Sequence, residues 1–111
     1  MDKQLYSAAQ VKRCAQNFVR YLHTECRLPV RQAFLFGSYA QGRPRLWSDV
    51  DICVVSPKFK NSASALEYLN VRRRRSDILH GIEPHGFTVR DFADNSNPLV
   101  AEIKKNGIRI V

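Results

Sequence analysis

Apolar residues spaced three or four positions apart predict a helix near the start of the chain. The pattern follows Ser7, a residue type suited to an N-cap, and continues to about Glu25. Arg27-Leu28-Pro29 then ends the helix, because the residue before a proline disfavours helical geometry. The apolar face of this helix consists of Val11, Ala15, Phe18 and Leu22.

Short apolar runs predict four strands. They are Val30 to Phe36, Asp49 to Val55, Ile82 to Val89 and Ile108 to Val111. The third run contains Pro84 and Gly86, so we expect an edge strand or a bulge there. The first run stops at Gly37, and Ser38 to Gln41 is then predicted to form a helical turn closed by Gly42.

Two further helices are predicted from their start and stop residues. One begins at Ser62 or Ser64, and its apolar stripe is interrupted at Arg73 and Ser76. Its inward residues are predicted to be Leu66 and Leu69. The last helix has Asn97 as N-cap, Pro98 at its first position and Gly107 as its stop. Its apolar side is predicted to consist of Leu99, Val100 and Ile103.

Composition places the chain among globular proteins with anionic partners. Of its 111 residues, 44% are hydrophobic, and 18 Lys and Arg against 10 Asp and Glu give a net charge of +8. No repeat or linker divides the sequence, so we expect a single domain over residues 1–111. Three cysteines without metal-ligand spacing indicate free thiols in a reducing compartment. Because no apolar run or signal-peptide layout indicates a membrane, the expected location is cytoplasmic.

Two carboxylates interrupt the second apolar run. On a two-residue period, Asp49 and Asp51 lie on the face that also carries Cys53 and Val55, opposite Val50, Ile52 and Val54. Two carboxylates on one face of an apolar strand repel each other and cost several kcal/mol unless paired or metal-bound. A divalent cation resolves this conflict, and Mg²⁺ prefers such oxygen ligands.

A phosphate cradle precedes these carboxylates. Gly37 permits close backbone approach, and the following turn offers free N–H groups beside the Ser38 hydroxyl. A cradle at one strand end and a metal site on the neighbouring strand would together form a triphosphate site.

The segment GSYAQGRPRLWSDVDICVV, residues 37 to 55, resembles the DNA polymerase beta-like nucleotidyltransferases. Gly-Ser, ten residues and Asp-x-Asp form the signature of that superfamily. GSYAQG with SDVD, and the later IEPHGF and NPLVAEIKKNGIRIV, are similar to the minimal nucleotidyltransferases. The resemblance covers roughly residues 30 to 111. It implies an α+β fold in which helices flank a small mixed sheet.

The resemblance also implies a role for each site residue. Gly37 and Ser38 would hold the β- and γ-phosphates of a nucleoside triphosphate such as ATP. Asp49 and Asp51 would coordinate two Mg²⁺ ions. Glu83 is the candidate third carboxylate, which completes the metal site and helps to deprotonate the attacking hydroxyl, and Asp77 is its alternative. Attack on the α-phosphorus would release pyrophosphate.

Other side chains have open roles at this point. Arg43 and Arg45 lie in the spacer of the motif and are candidates for contacting phosphate. Arg72 to Arg75 fit a solvated helix face as well as a phosphate or partner contact. His85 shares the predicted face of Glu83, where a hydrogen-bonded or exposed role is favoured over catalysis. Tyr39 and Trp47 could stack on a base, although packing is the commoner use of both.

Three functions are compatible with these features. The first is transfer of AMP from ATP to a hydroxyl of a protein side chain, a small molecule or a nucleic acid end. The minimal nucleotidyltransferases that this sequence resembles are often paired with a helical RNase toxin of the HEPN type, which supports this function and the next. The second is an antitoxin that neutralises such a toxin by contact, with a vestigial metal site. The third, a basic nucleic-acid-binding domain, is less favoured because the carboxylates would repel phosphate without metal. The sequence ends shortly after its final helix, so we expect an open cleft covered by a helical partner or a second copy.

Overall fold

The computed structural model describes residues 7–42 and 49–111. Helices and strands follow one another along the chain. They are α1 (Ala8–Thr24), β1 (Gln32–Phe36), β2 (Val50–Val55), α2 (Ser62–Val71), α3 (Arg75–Leu79), β3 (Ile82–Phe87), α4 (Val89–Ala93), α5 (Pro98–Asn106) and β4 (Ile108–Arg109).

Within these ranges the strands form one mixed sheet in the order β3-β2-β1-β4. Strand β1 is antiparallel to both β2 and β4, whereas β2 and β3 run parallel. The α+β fold with a small mixed sheet flanked by helices is therefore confirmed, and so is the edge position of β3. Pro84 is tolerated there because an edge strand has an unpaired side that needs no backbone N–H.

The two faces of the sheet carry separate hydrophobic clusters. The first cluster joins Leu35, Ile52 and Val54 to the apolar stripe of α1, including Phe18 and Leu22. The second joins Phe34, Cys53 and Val55 to α4 and α5 through residues that include Phe92, Val100 and Ile103. The predicted alternation along β2 is confirmed, because Ile52 and Val54 lie on one face and Cys53 and Val55 on the other.

Helix α1 forms as its sequence predicts. Ser7 accepts a hydrogen bond from the Gln10 backbone N–H at 3.2 Å, and the Gln10 side chain accepts one from the Ser7 N–H. Its predicted apolar residues are fully buried. The helix ends at Thr24, and Arg27 takes a φ of 55° in the following turn.

The inward face of α2 differs from the prediction. Ala65 and Leu69 are buried, whereas Leu66 is 48% exposed. The helix packs over Gly86 of β3, where an added Cβ would lie only 2.6 Å from the Ala65 Cβ. The small residue Ala65 therefore faces the sheet, and Leu66 turns outward. The prediction that Leu66 points inward was wrong.

Helix α5 also has one exposed apolar residue. Val100 and Ile103 are buried against the sheet, but Leu99 is 41% exposed, so its assignment to the apolar side was wrong. The predicted cap is confirmed, because the Asn97 Oδ1 accepts from the Leu99 N–H at 2.9 Å. No helix in the described ranges is both long and apolar enough to cross a lipid bilayer.

Candidate metal centre

Three strand termini meet at one end of the sheet and bring the acidic residues together. Asp51 of β2 pairs with Phe36 at the end of β1 and with Glu83 near the start of β3. Asp51 is half-buried on the same face as the fully buried Cys53. The carboxylates therefore lie where the second hydrophobic cluster gives way to solvent.

His85 contacts the Asp51 carboxylate directly. Its Nε2 lies 3.1 Å from the Asp51 Oδ1, and both side chains are half-buried. The imidazole packs edge-on against the Phe36 ring, with 5.0 Å between ring centroids. Because a carboxylate oxygen can only accept, Nε2 carries the proton in this contact. Phe36 and Asp51 together hold the ring at the acidic end of the sheet.

Gly37 lies against the second oxygen of the same carboxylate. Its φ is +78°, and a Cβ at this position would lie 2.3 Å from the Asp51 Oδ2. Side chains rarely adopt this backbone conformation, and here one would also displace Asp51. The turn after Gly37 is closed by a hydrogen bond from the Gln41 N–H to the Gly37 carbonyl at 3.1 Å. Asp51 is thus enclosed by His85 on one side and by bare backbone on the other.

Glu83 is coupled to both aspartates. A hydrogen bond with the Asp49 side chain raises the pKa of Glu83 most, and burial and the negative charges of Asp51 and Asp49 raise it further. Only the neighbouring His85 opposes this shift. Asp49 immediately precedes β2 and is exposed. A carboxyl whose pKa is raised by other carboxylates marks a position where negative charge lacks a counterion.

These side chains offer a donor set that fits a divalent cation. Single ligand atoms from Asp51, Glu83 and His85 all lie within 4.8 Å of one another. Two carboxylates supply the hard oxygens that Mg²⁺ prefers, and the imidazole adds a nitrogen. Asp49 interacts with Glu83 and adds a further carboxylate beside this group. The close approach of Gly37 places the backbone of the following turn directly against the Asp51 carboxylate.

The remaining predicted site residues are placed as follows. Ser38 is half-buried and follows Gly37 directly. Tyr39 is 6% exposed in the first hydrophobic cluster, so its ring packs in the core. Arg43, Arg45 and Trp47 lie outside the described residues.

Asp77, the alternative third carboxylate, has a structural partner elsewhere. It is 3% exposed, and its Oδ2 accepts from the Arg74 backbone N–H at 2.8 Å and from the Arg74 Nε at 2.9 Å. It therefore caps α3 rather than joining Asp51 and Glu83.

Three of the four consecutive arginines from Arg72 to Arg75 are half-buried. Arg72 lies 3.5 Å above the Tyr68 ring, and the Arg73 Nη1 donates to the Ile82 carbonyl at 3.2 Å. Arg74 pairs with Asp77 and also donates to the Asn17 Oδ1 at 2.7 Å. Arg75 is exposed. The run is thus neither a uniformly solvated face nor a set of cations directed at the carboxylates.

His85 is the member of the cluster that sequence reasoning undervalued. A two-residue period places it on the face of Glu83, and that signal was present. Its contact with Asp51 depends on the parallel pairing of β2 with β3, in which Cys53 lies opposite His85. Strand order and register of this kind are not visible in a single sequence.

Comparison with known proteins agrees with this architecture. The sequence profile of the family described as "Polymerase beta, Nucleotidyltransferase" matches residues 18–111. A candidate nucleotidyltransferase from Sulfolobus solfataricus superposes with a TM-score of 0.61 at 17% identity, over 96% of this chain and 87% of that one. A chain from a toxin–antitoxin crystal structure with AMP-PNP superposes with a TM-score of 0.59 at 21% identity, over 86% of this chain and 72% of that one. No curated protein matches the chain in sequence.

Proposed function

Because the chain belongs to the polymerase beta nucleotidyltransferase family, we propose that it transfers a nucleoside monophosphate, AMP from ATP, to a hydroxyl group of a partner protein. The observation that carries the proposal is the cluster of Asp51, Glu83 and His85 beside the bare backbone of Gly37. The cluster supplies metal ligands, and the turn that follows Gly37 is the proposed phosphate cradle. Both occur at the same end of the sheet.

Each residue has a role in this proposal. Asp49, Asp51 and Glu83 would hold two divalent cations, expected to be Mg²⁺, which would offset the charge of the triphosphate. Gly37 and Ser38 bind the β- and γ-phosphates through backbone N–H groups and the Ser38 hydroxyl. Arg43 is proposed as a further phosphate contact from the motif spacer.

The chemistry follows from the position of Glu83. It accepts the proton of the acceptor hydroxyl as the new bond from oxygen to the α-phosphorus forms. The bond from the α-phosphorus to the bridging oxygen breaks, and pyrophosphate leaves.

A helical protein is the proposed acceptor. One similar fold belongs to a toxin–antitoxin structure with AMP-PNP, which supports a protein partner and a nucleotide. In addition, α2 and α3 expose several apolar side chains: Leu66, Val71, Ile78 and Leu79. Val71 is 70% exposed. We take the exposed apolar side chains of these two consecutive helices as the candidate protein-binding surface. An RNase toxin of the HEPN type is the expected partner, and both proteins would act in the cytoplasm.

The same surface supports a second candidate function. A chain that binds a toxin through this apolar surface would neutralise it without any transfer. In that case Asp49, Asp51 and Glu83 would be dispensable for neutralisation, whereas transfer requires all three.

Calorimetry tests the metal and nucleotide part of the proposal. We expect ATP to bind measurably only with Mg²⁺, and Asp49→Asn to abolish the binding. Asp91→Asn is the matched control, because Asp91 is an exposed aspartate beyond the other end of β3. ATP binding by Asp49→Asn at the wild-type affinity would exclude the proposed site.

Mass spectrometry tests the transfer. The chain is co-purified with its partner from the native operon and incubated with ATP. The mass of the partner is then measured. A gain of one AMP on a hydroxyl, lost with Asp49→Asn, supports transfer. A stable complex without modification supports neutralisation by contact instead.

A further inference from the structure

His85 places a nitrogen donor among carboxylates that would otherwise offer only oxygen. One of its ring nitrogens belongs to the same group of ligand atoms as Asp51 and Glu83, all within 4.8 Å of one another. Mg²⁺ is held by oxygen ligands, whereas first-row transition-metal ions, Mn²⁺ included, also bind the nitrogen of imidazole. The donor set therefore departs from the all-oxygen set expected for magnesium.

The distance between His85 and Asp51 matches that between two adjacent ligands of one ion. Octahedral ions of this size have ligands at about 2.1 Å, so two ligands at right angles are about 3.0 Å apart. The His85 Nε2 and Asp51 Oδ1 are 3.1 Å apart. An ion can therefore replace the proton that these atoms share without a change in their separation. The neutral imidazole then carries its one proton on Nδ1, and Nε2 donates its lone pair to the ion.

The ring is already held in this position. Phe36 packs against it at 5.0 Å between centroids, and pairing with Cys53 fixes its backbone on β3. His85 is half-buried, so little side-chain freedom remains to be lost on binding. Glu83, which is exposed, supplies the adjustment needed to complete the site.

We propose that His85 is a direct metal ligand together with Asp51 and Glu83, and that it makes this site favour a first-row transition-metal ion such as Mn²⁺ over Mg²⁺. The inference rests on the proposed function only in using the same metal site. It concerns which ion the site selects, and it does not require that transfer occurs.

Mn²⁺ binding to the whole chain without nucleotide tests the inference. Electron paramagnetic resonance measures Mn²⁺ affinity, and competition gives Mg²⁺ affinity. Pulsed electron paramagnetic resonance detects a nitrogen bound to Mn²⁺. We expect a nitrogen signal and at least tenfold tighter binding of Mn²⁺ than of Mg²⁺ in the wild type. His85→Gln should remove the nitrogen signal and weaken Mn²⁺ binding about tenfold, while Mg²⁺ affinity changes less than about threefold.

Two variants make the result specific. Glutamine at position 85 keeps an N–H that can donate to Asp51, so a role limited to positioning Asp51 would survive this change. His23→Gln removes an exposed histidine of α1 and should leave both affinities unchanged. The inference would be overturned if the wild type gave no nitrogen signal. It would also be overturned if His85→Gln lost affinity for Mn²⁺ and for Mg²⁺ equally.

The outcomes also separate this inference from the proposed function. Asp51→Asn should strongly weaken the binding of both Mn²⁺ and Mg²⁺. If it weakens the binding of neither ion, the metal site of both proposals is wrong. A nitrogen signal from His85 in a chain whose metal binding does not promote ATP binding would support this inference while counting against nucleotide transfer.

Discussion

Gly37 and Asp51 approach each other so closely that no side chain fits between them. A Cβ on Gly37 would lie 2.3 Å from the Asp51 Oδ2, and the backbone φ of +78° already favours glycine. The glycine of the motif is therefore matched to its aspartate through space, across the pairing of β1 with β2. This contact connects the proposed phosphate cradle to the proposed metal ligands.

Gly37→Ala should damage the metal site beyond its cost to the backbone. Left-handed geometry costs a non-glycine residue about 1–2 kcal/mol, and displacement of Asp51 adds to that cost. Gly42→Ala is a matched control, because Gly42 has a φ of +70° but no atom within 4 Å of an added Cβ. We expect both variants to lose stability in urea unfolding, and only Gly37→Ala to lose divalent-metal affinity. Equal metal affinity in the two variants would contradict a role for the contact.

Glu83 should make the metal-free protein less stable as pH rises. Its pKa is raised above 4.5 in the folded state, so the folded state holds this proton more tightly than the unfolded state. The resulting stabilisation is complete below pH 4.5 and is lost as pH rises through the higher folded pKa. Urea unfolding with chelator, compared between wild type and Glu83→Gln across this window, should isolate the effect. Glu67→Gln on α2 controls for loss of an exposed glutamate. A constant difference between wild type and Glu83→Gln would refute the prediction.

Metal binding should offset the stability that the metal-free protein loses as pH rises. A ligand that binds only the folded state at one hundred times its dissociation constant adds about 2.7 kcal/mol. Thermal unfolding of the wild type should therefore shift upward with Mn²⁺ or Mg²⁺, and return on chelation. Asp51→Asn should show no shift. A shift of wild-type size in this variant would place the stabilising ion elsewhere.

Asp77→Asn should reduce stability without touching the metal site. Asp77 is buried and accepts three hydrogen bonds from Arg74, whose own side chain is one-third exposed. Loss of its charge should cost about 1–3 kcal/mol. We expect urea unfolding to show this loss and metal titration to give the wild-type affinity. Weakened metal binding at unchanged stability would instead make Asp77 the third carboxylate.

Much of the fold could be predicted from local patterns. The spacing of apolar residues in α1 and β2 is a strong signal, because each element buries one face. The cap of α5 is another, because it satisfies backbone hydrogen bonds at the start of that helix. Helices α3 and α4 were not predicted, since five residues are too few to show a helical period. The interrupted stripe at Arg73 and Ser76 marks the break between α2 and α3.

The site could be predicted only in part. The resemblance implied that Asp51 and Glu83 lie together, and they do, because β2 and β3 pair in parallel with these two residues opposite each other. The metal and nucleotide roles of Gly37, Ser38, Asp49, Asp51 and Glu83 remain predictions that the experiments above test. The contact of His85 with Asp51 and the outward turn of Leu66 depend on register and on packing over Gly86, which local patterns do not encode.

The central position of β2 has a consequence for motion. Its backbone is hydrogen-bonded on both sides, by β1 and by β3, whereas β3 lies at the edge of the described sheet. Amide protons in such a strand exchange mainly through global unfolding, whereas edges and turns open locally and sooner. Asp51 therefore stands on one of the two central strands of the described sheet, where we expect slow amide exchange. In the proposed function, adjustment to an arriving nucleotide would fall instead to Glu83 on the edge strand and to the turn that follows Gly37.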